Sequence, residues 1–196
     1  NYKKPKLTYR FALVPETIGT ICFLSKYGKL LKKRLVAGFN LSCIGDERDY
    51  SYVQTPGSNT LADEIMRVMV KEEREGSVYS YMQRGSDERQ YCSPKMGLPV
   101  VTVCRSKFGT FKEYHTSKDD MTIVTKNGLE QSIDLLKTVV DAIECCLYPE
   151  STSAYEPFLR DSGLIGSKST VSSCVRGNVY LDIIALSNGK RSIFEI

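Results

Sequence analysis

Gly97-Leu98-Pro99-Val100-Val101-Thr102-Val103-Cys104 is the stretch on which the fold turns. Glycine and proline punctuate the chain just before five apolar or β-branched residues, the length and composition of a buried strand. Downstream, Leu129, Ile133, Leu136, Val140 and Ile143 recur at helical spacing and predict a helix over 129–147. The same alternation continues toward the N-terminus. Residues 9–14 read as a buried strand stopped by Pro15, and a helix then starts with Thr17 as N-cap and Ile18, Ile21, Cys22 and Leu24 as its apolar face. Residues 35–44 read as a second strand closed by Gly45-Asp46, residues 50–54 as a short third, and 78–82 as another. Between the last two, the turn signal Thr55-Pro56-Gly57-Ser58-Asn59 introduces a helix over 60–73. Strands alternating with helices predict an α/β fold, a mixed sheet between helices in three layers. In such folds the polar residues just past strand ends gather at one edge.

Composition narrows the class. The chain has 196 residues, a formal charge of +4 and no apolar run near the roughly 18 residues that span a membrane. A soluble, cytoplasmic protein without an export signal is expected. The seven cysteines are odd in number and include no CxxC pair, which points to free thiols in a reducing compartment rather than a disulfide framework. The densest basic run, residues 29–34, lacks interleaved aromatics and reads as a solvated helix end, not a nucleic-acid footprint.

His115 is the only histidine, set in Glu113-Tyr114-His115-Thr116-Ser117-Lys118-Asp119-Asp120. Glu16, Asp46 and Asp87 each follow a predicted strand, and the predicted sheet lets all three converge on His115. Carboxylates plus an imidazole suit zinc or a similar divalent ion, with one further carboxylate free to polarise water.

The succession Phe11-Ala12-Leu13-Val14-Pro15-Glu16-Thr17-Ile18-Gly19, Asn40-Leu41-Ser42-Cys43-Ile44-Gly45-Asp46, Ser86-Asp87-Glu88-Arg89-Gln90-Tyr91, Gly97-Leu98-Pro99 and Tyr114-His115-Thr116 with Asp119 resembles the zinc aminopeptidase superfamily of leucyl aminopeptidases and glutaminyl cyclases. Its bacterial aminopeptidase-like branch, often associated with surface-polysaccharide gene clusters, is the nearer match. The resemblance implies Glu16 as general base, Asp46 and His115 as metal ligands, and zinc as cofactor. It places Asp87, Arg89, Tyr91 and Asp119 around these groups or against substrate. Two positions depart from the pattern: Thr17 stands where peptidases of the wider family have a metal-binding glutamate, and Glu88 stands where they have a histidine. One zinc is therefore expected rather than two.

The resemblance further implies that residues 1–148 are the C-terminal part of a catalytic domain of a longer protein. A linker over 149–170 and a truncated winged helix-turn-helix-like module over 171–196 are expected to follow. The expected activity is hydrolysis of a peptide or related small-molecule amide, weak in this chain alone. The alternative is a non-catalytic binding protein of the same fold linked to surface-polysaccharide biosynthesis, in which Thr17 and Glu88 mark lost chemistry. No membrane partner is expected, a homo-oligomer is left open, and nucleic acid is not expected because the tail carries only Lys190 and Arg191 near its turn.

Overall fold

The computed structural model describes residues 5–72, 74–146, 148–157 and 171–196. The chain divides into two compact units, residues 1–144 and 145–196. In the first unit the described elements run α1 (Ile18–Arg34), β1 (Gly38–Leu41), β2 (Ser51–Val53), α2 (Leu61–Met66), β3 (Ser77–Tyr79), α3 (Glu88–Tyr91), β4 (Val100–Cys104) and α4 (Lys126–Cys145), whose last residue crosses into the second unit. The architecture is mixed α/β, with one four-stranded sheet in the order β1-β4-β2-β3. β4 pairs parallel with β1 and antiparallel with β2, while β2 and β3 are parallel.

β4 occupies the strand predicted for its residues, and all five of its side chains are buried. Its alternation explains the packing on one face. Val100 joins Cys92, Leu98 and the α1 leucines Leu24 and Leu31, and Cys104 joins Val53 and Phe108. Between them Thr102 donates a hydrogen bond to Glu88 of α3. α2 packs on β4, and its fully buried Ala62, Ile65 and Met66 account for the apolar periodicity of that segment.

Several boundaries differ from the sequence reading, each for a local reason. Residues 9–14 form no strand: they are irregular, with Phe11 87 % and Leu13 97 % exposed. Lys6 and the start of this segment are held instead by Glu144 of α4, which accepts from the Lys6 N–H at 2.8 Å and the Tyr9 hydroxyl at 2.7 Å. The helix predicted over 60–73 starts at a capping box between Thr60 and Asp63, then widens after Met66 into a π-helical turn, Arg67–Glu72. β3 stops at Tyr79 because Ser80 caps a 3-10 turn, Tyr81–Gln83, its hydroxyl accepting from the Met82 N–H. α1 runs on through the basic stretch, so that Lys32, Lys33 and Arg34 lie at its negative C-terminal end.

The second unit contains α5 (Val171–Leu186) and an antiparallel bridge between Glu150 and Asn188. Asn188 Oδ1 accepts from the Lys190 and Arg191 N–H groups, forming a turn. The second helix expected in this tail is absent among the described residues, which end in turns. Most of the expected linker, residues 158–170, lies outside the described residues. No described helix is long and apolar enough to cross a membrane. The described cysteines, Cys22, Cys43, Cys92, Cys104, Cys145 and Cys146, are free thiols.

Candidate functional site

β1 and β4 end side by side, and their ladder runs on past both strands. The Ser42 N–H donates to the Val103 carbonyl at 3.1 Å and the Arg105 N–H to the Cys43 carbonyl at 2.9 Å. The segments leaving this edge carry Asp46 on one side and His115 with Asp119 on the other. α4 closes in from below because Gly128 has no side chain: a Cβ there would stand 2.2 Å from the Gly45 carbonyl oxygen and 2.7 Å from that of Asp46. Ser132 reinforces the contact by donating to the Ile44 carbonyl.

Asp46 is buried and both of its oxygens are occupied. Oδ1 accepts from the Arg48 N–H, the Arg48 guanidinium and the Ser106 hydroxyl, and Oδ2 accepts from the Ser106 N–H at 2.9 Å. Burial alone would raise its pKa, but the bonds from Arg48 and Ser106 together outweigh it and hold the carboxyl below its ordinary value. Arg48 continues to Glu113 at 3.1 Å and stacks over Phe111, which ties the two loops of the edge together. A depressed folded pKa contributes stability that is present above the unfolded value, near 3.9, and lost as pH falls through the folded one. Ser106→Ala is therefore expected to cost about 1 kcal/mol at pH 7, less where solvent screens the bond. In urea melts the gap from the parent protein should narrow below pH 4, and a gap independent of pH would contradict this role for Ser106.

His115 is exposed, has φ 56°, and its ring stacks on Tyr114 with centroids 3.9 Å apart. Tyr114 in turn packs against the cluster of Val53, Cys104 and Phe108 alongside Cys43. Burial pushes the Tyr114 phenol up, and the charges of Cys43, Glu16 and Asp119 add to the rise. Burial likewise raises the Cys43 thiol, opposed by the Ser42 hydroxyl and strengthened by Asp119, Asp46 and Glu16. Asp119, Asp46 and Glu16 thus all act on the Cys43 thiol, while His115 meets this edge through its stack on Tyr114.

Glu16 sits at the entry to α1. Thr17, the next residue, has φ 61° and ψ −70°, and the Ile18 N–H donates to the Glu16 carbonyl at 2.8 Å. Those angles and that bond define the strained, positive-φ form of the γ-turn. A β-branched residue adopts it only where the surroundings over-determine it. Thr17, Cys43 and His115 account for three of the five positive-φ non-glycine residues among those described, so backbone strain concentrates here. The expected side-chain cap by Thr17 is absent, because its conformation is not that of an N-cap. Asp87 takes over, accepting from the Thr17 N–H and the Thr20 hydroxyl, each at 2.7 Å. Tyr91 is half-buried beside this knot, within reach of the Thr20 hydroxyl. Arg89 donates to the Thr17 hydroxyl at 3.2 Å. The Glu16 carboxylate is exposed and accepts from the Ser86 hydroxyl at 2.7 Å.

Residues 1–145 match the family described as "Domain of unknown function (DUF4910)". The chain belongs to that family. A curated protein of Clostridium acetobutylicum, "Putative polysaccharide biosynthesis protein with aminopeptidase-like domain", is 37 % identical to this DUF4910 chain over 142 residues, 72 % of this chain and 32 % of its own length. A crystal structure of a "putative peptidase" from Clostridium acetobutylicum superposes with a TM-score of 0.76 at 31 % identity, covering 98 % of this chain and 43 % of that one. The chain thus spans about a third of the curated relative and less than half of the solved one. Both names support a peptidase-like family.

Zinc requires about four nitrogen, oxygen or sulfur ligands near 2 Å. Among the described residues of this DUF4910 chain no group of three or more His, Cys, Asp or Glu side chains is placed to hold a metal ion. Asp46 spends both oxygens on Arg48 and Ser106, and the His115 ring lies flat on Tyr114. Asp46 and His115 by themselves do not make up a zinc ligand set, and no third described ligand stands with them.

The chain of polar contacts behind Glu16 escapes sequence reading. Asn40 of β1 donates to the hydroxyls of Ser86 and Thr102, and the buried Glu88 accepts from Thr102 and from the Gly85 and Ser86 N–H groups. The Asn40↔Thr102 register between neighbouring strands brings the two sides of this chain of contacts together, and that register is not readable from separate segments. Arg48 and Ser106 carry no local signal at all.

Proposed function

We propose that this chain carries the general base of a peptidase-like amide hydrolase, with Glu16 in that role. The observation that carries the reading is the Glu16 carboxylate itself: exposed, anchored through one oxygen by Ser86, and presented on a strained turn at the carboxyl edge of a parallel strand pair. Glu16 would take a proton from a water molecule as its oxygen bonds to the scissile carbonyl carbon. The C–N bond then breaks, and the same carboxylic acid returns the proton to the leaving amine. The aminopeptidase-like names of the relatives favour a peptide or small amide with a free amino end as substrate. On this reading the sheet is the middle of a three-layer zinc-exopeptidase-like domain, and residues 171–196 belong to a winged-helix-like module.

A second reading is favoured by the occupied oxygens of Asp46 and the structural employment of Glu88. It is a binding protein of the same fold that recognises a sugar nucleotide or amino-sugar intermediate, in keeping with the name of the curated relative. Incubating the full-length protein with aminoacyl anilides and short peptides, alongside thermal melts with the same amides and with sugar nucleotides, separates the two. Release of the amino-terminal residue is the expected result. Stabilisation by sugar nucleotides alone, without amide cleavage, would overturn the hydrolase reading.

A further inference from the structure

The turn beneath Glu16 is held from outside its own segment. Thr17 is β-branched and sits at φ 61°, a region that L side chains rarely adopt, so residues 16–18 on their own would relax toward ordinary helix or extended angles. Three side chains from the segment before and within α3, some 70 residues away in sequence, prevent that. Ser86 fixes the Glu16 carboxylate, Asp87 receives the Thr17 N–H, and Arg89 reaches the Thr17 hydroxyl. Asp87 is the central grip: it is buried, and its two oxygens hold the turn and the first turn of α1 at once. Ser86 and Arg89 are themselves tied together, since the Arg89 guanidinium donates to the Ser86 carbonyl at 3.0 Å.

We infer that Asp87 is a positioning residue for Glu16, imposing the strained turn that aims the carboxylate at the strand edge. The inference rests on the proposed role of Glu16, and it adds the device by which a flexible glutamate acquires one direction. Without the bond to Asp87 the Thr17 backbone relaxes and the carboxylate moves, a displacement of the order of 1 Å that costs roughly 100-fold in rate. Glycine adopts φ near +60° at little steric cost. Thr17→Gly is therefore able to keep the turn when the grip of Asp87 is weakened.

The test uses the full-length protein with Asp87→Ala, Thr17→Gly and the double variant, assayed for amide hydrolysis and for amide hydrogen exchange at residues 17 and 18. Thermal melts confirm that each variant is folded. In Asp87→Ala, which removes the acceptor of the Thr17 N–H, kcat is expected to fall roughly 10- to 100-fold while KM stays within about twofold. Exchange at Thr17 should rise about tenfold or more. Adding Thr17→Gly should recover most of the lost kcat, a rescue that a general structural role for Asp87 would not produce. A kcat unchanged by Asp87→Ala, or a loss that Thr17→Gly leaves in place, overturns the inference. Should Glu16→Gln leave hydrolysis intact, or hydrolysis be absent, the role of Glu16 fails separately. The exchange rate at Thr17 then still decides whether Asp87 holds the turn, and unchanged exchange overturns that as well.

Discussion

Glu16→Gln is expected to lower amide hydrolysis by the full-length protein by about 10²–10⁴-fold, the range that a positioned general base contributes. Glutamine keeps an oxygen to accept the Ser86 hydroxyl bond, so the turn and the entry to α1 persist. What disappears is the ability to take a proton from water. The loss should therefore fall on kcat, with KM and the melting temperature close to those of the parent. Steady-state kinetics on an aminoacyl anilide, paired with a thermal melt, check both halves. A variant retaining more than half of the parent rate would remove Glu16 from the chemistry. An equal loss of rate and stability would make it a structural carboxylate.

The largest effect on stability is expected from Glu88→Ala. Glu88 is fully buried and accepts from the Gly85 N–H at 2.6 Å, the Ser86 N–H at 3.0 Å and the Thr102 hydroxyl at 2.6 Å. Alanine leaves all three donors without their acceptor where water does not readily replace it, and adds a cavity beneath α3. At about 1–3 kcal/mol for each stranded group, with some relaxation, the total is about 3–4 kcal/mol. For a unit of this size that corresponds to a fall of roughly 10 °C in melting temperature. Because the Ser86 N–H and hydroxyl belong to the same short segment, loosening it should also disturb the anchor on Glu16. Glu88→Gln keeps one acceptor and should cost less than half as much. Urea midpoints for the two variants provide the comparison, and a Glu88→Ala midpoint within about 0.2 M of the parent would contradict this account.

Glu88 also shows how a departure from a family pattern takes up a structural role. Set beside the aminopeptidase pattern, a glutamate in place of histidine looks like chemistry lost. In the fold it is a buried acceptor that closes the turn before α3 and pins β4 to it. Thr17 is similar. It looks like a missing ligand, yet its strained backbone and its bonds to Asp87 and Arg89 are what set the direction of the neighbouring glutamate.

Local chemistry determined much of the fold by itself. The Gly-Leu-Pro punctuation and β-branched run of β4, the Thr60 and Asp63 pair that starts α2, and the heptad-like spacing of α4 each act within a few residues, so they could be read without the tertiary structure. The candidate acids Glu16, Asp46 and Asp119 were legible for the same reason, each standing in a loop near a strand or helix end. Which of them is free and which is spent was decided only by the folded chain. Asp46 loses its oxygens to Ser106, 60 residues away, and residues 9–14 give up their predicted strand while Glu144 holds Lys6 and Tyr9. Strand register and side-chain hydrogen bonds across dozens of residues are long-range properties. A carboxylate's availability depends on them, because burial and bonded donors, not residue type, determine whether its oxygens are available to a substrate.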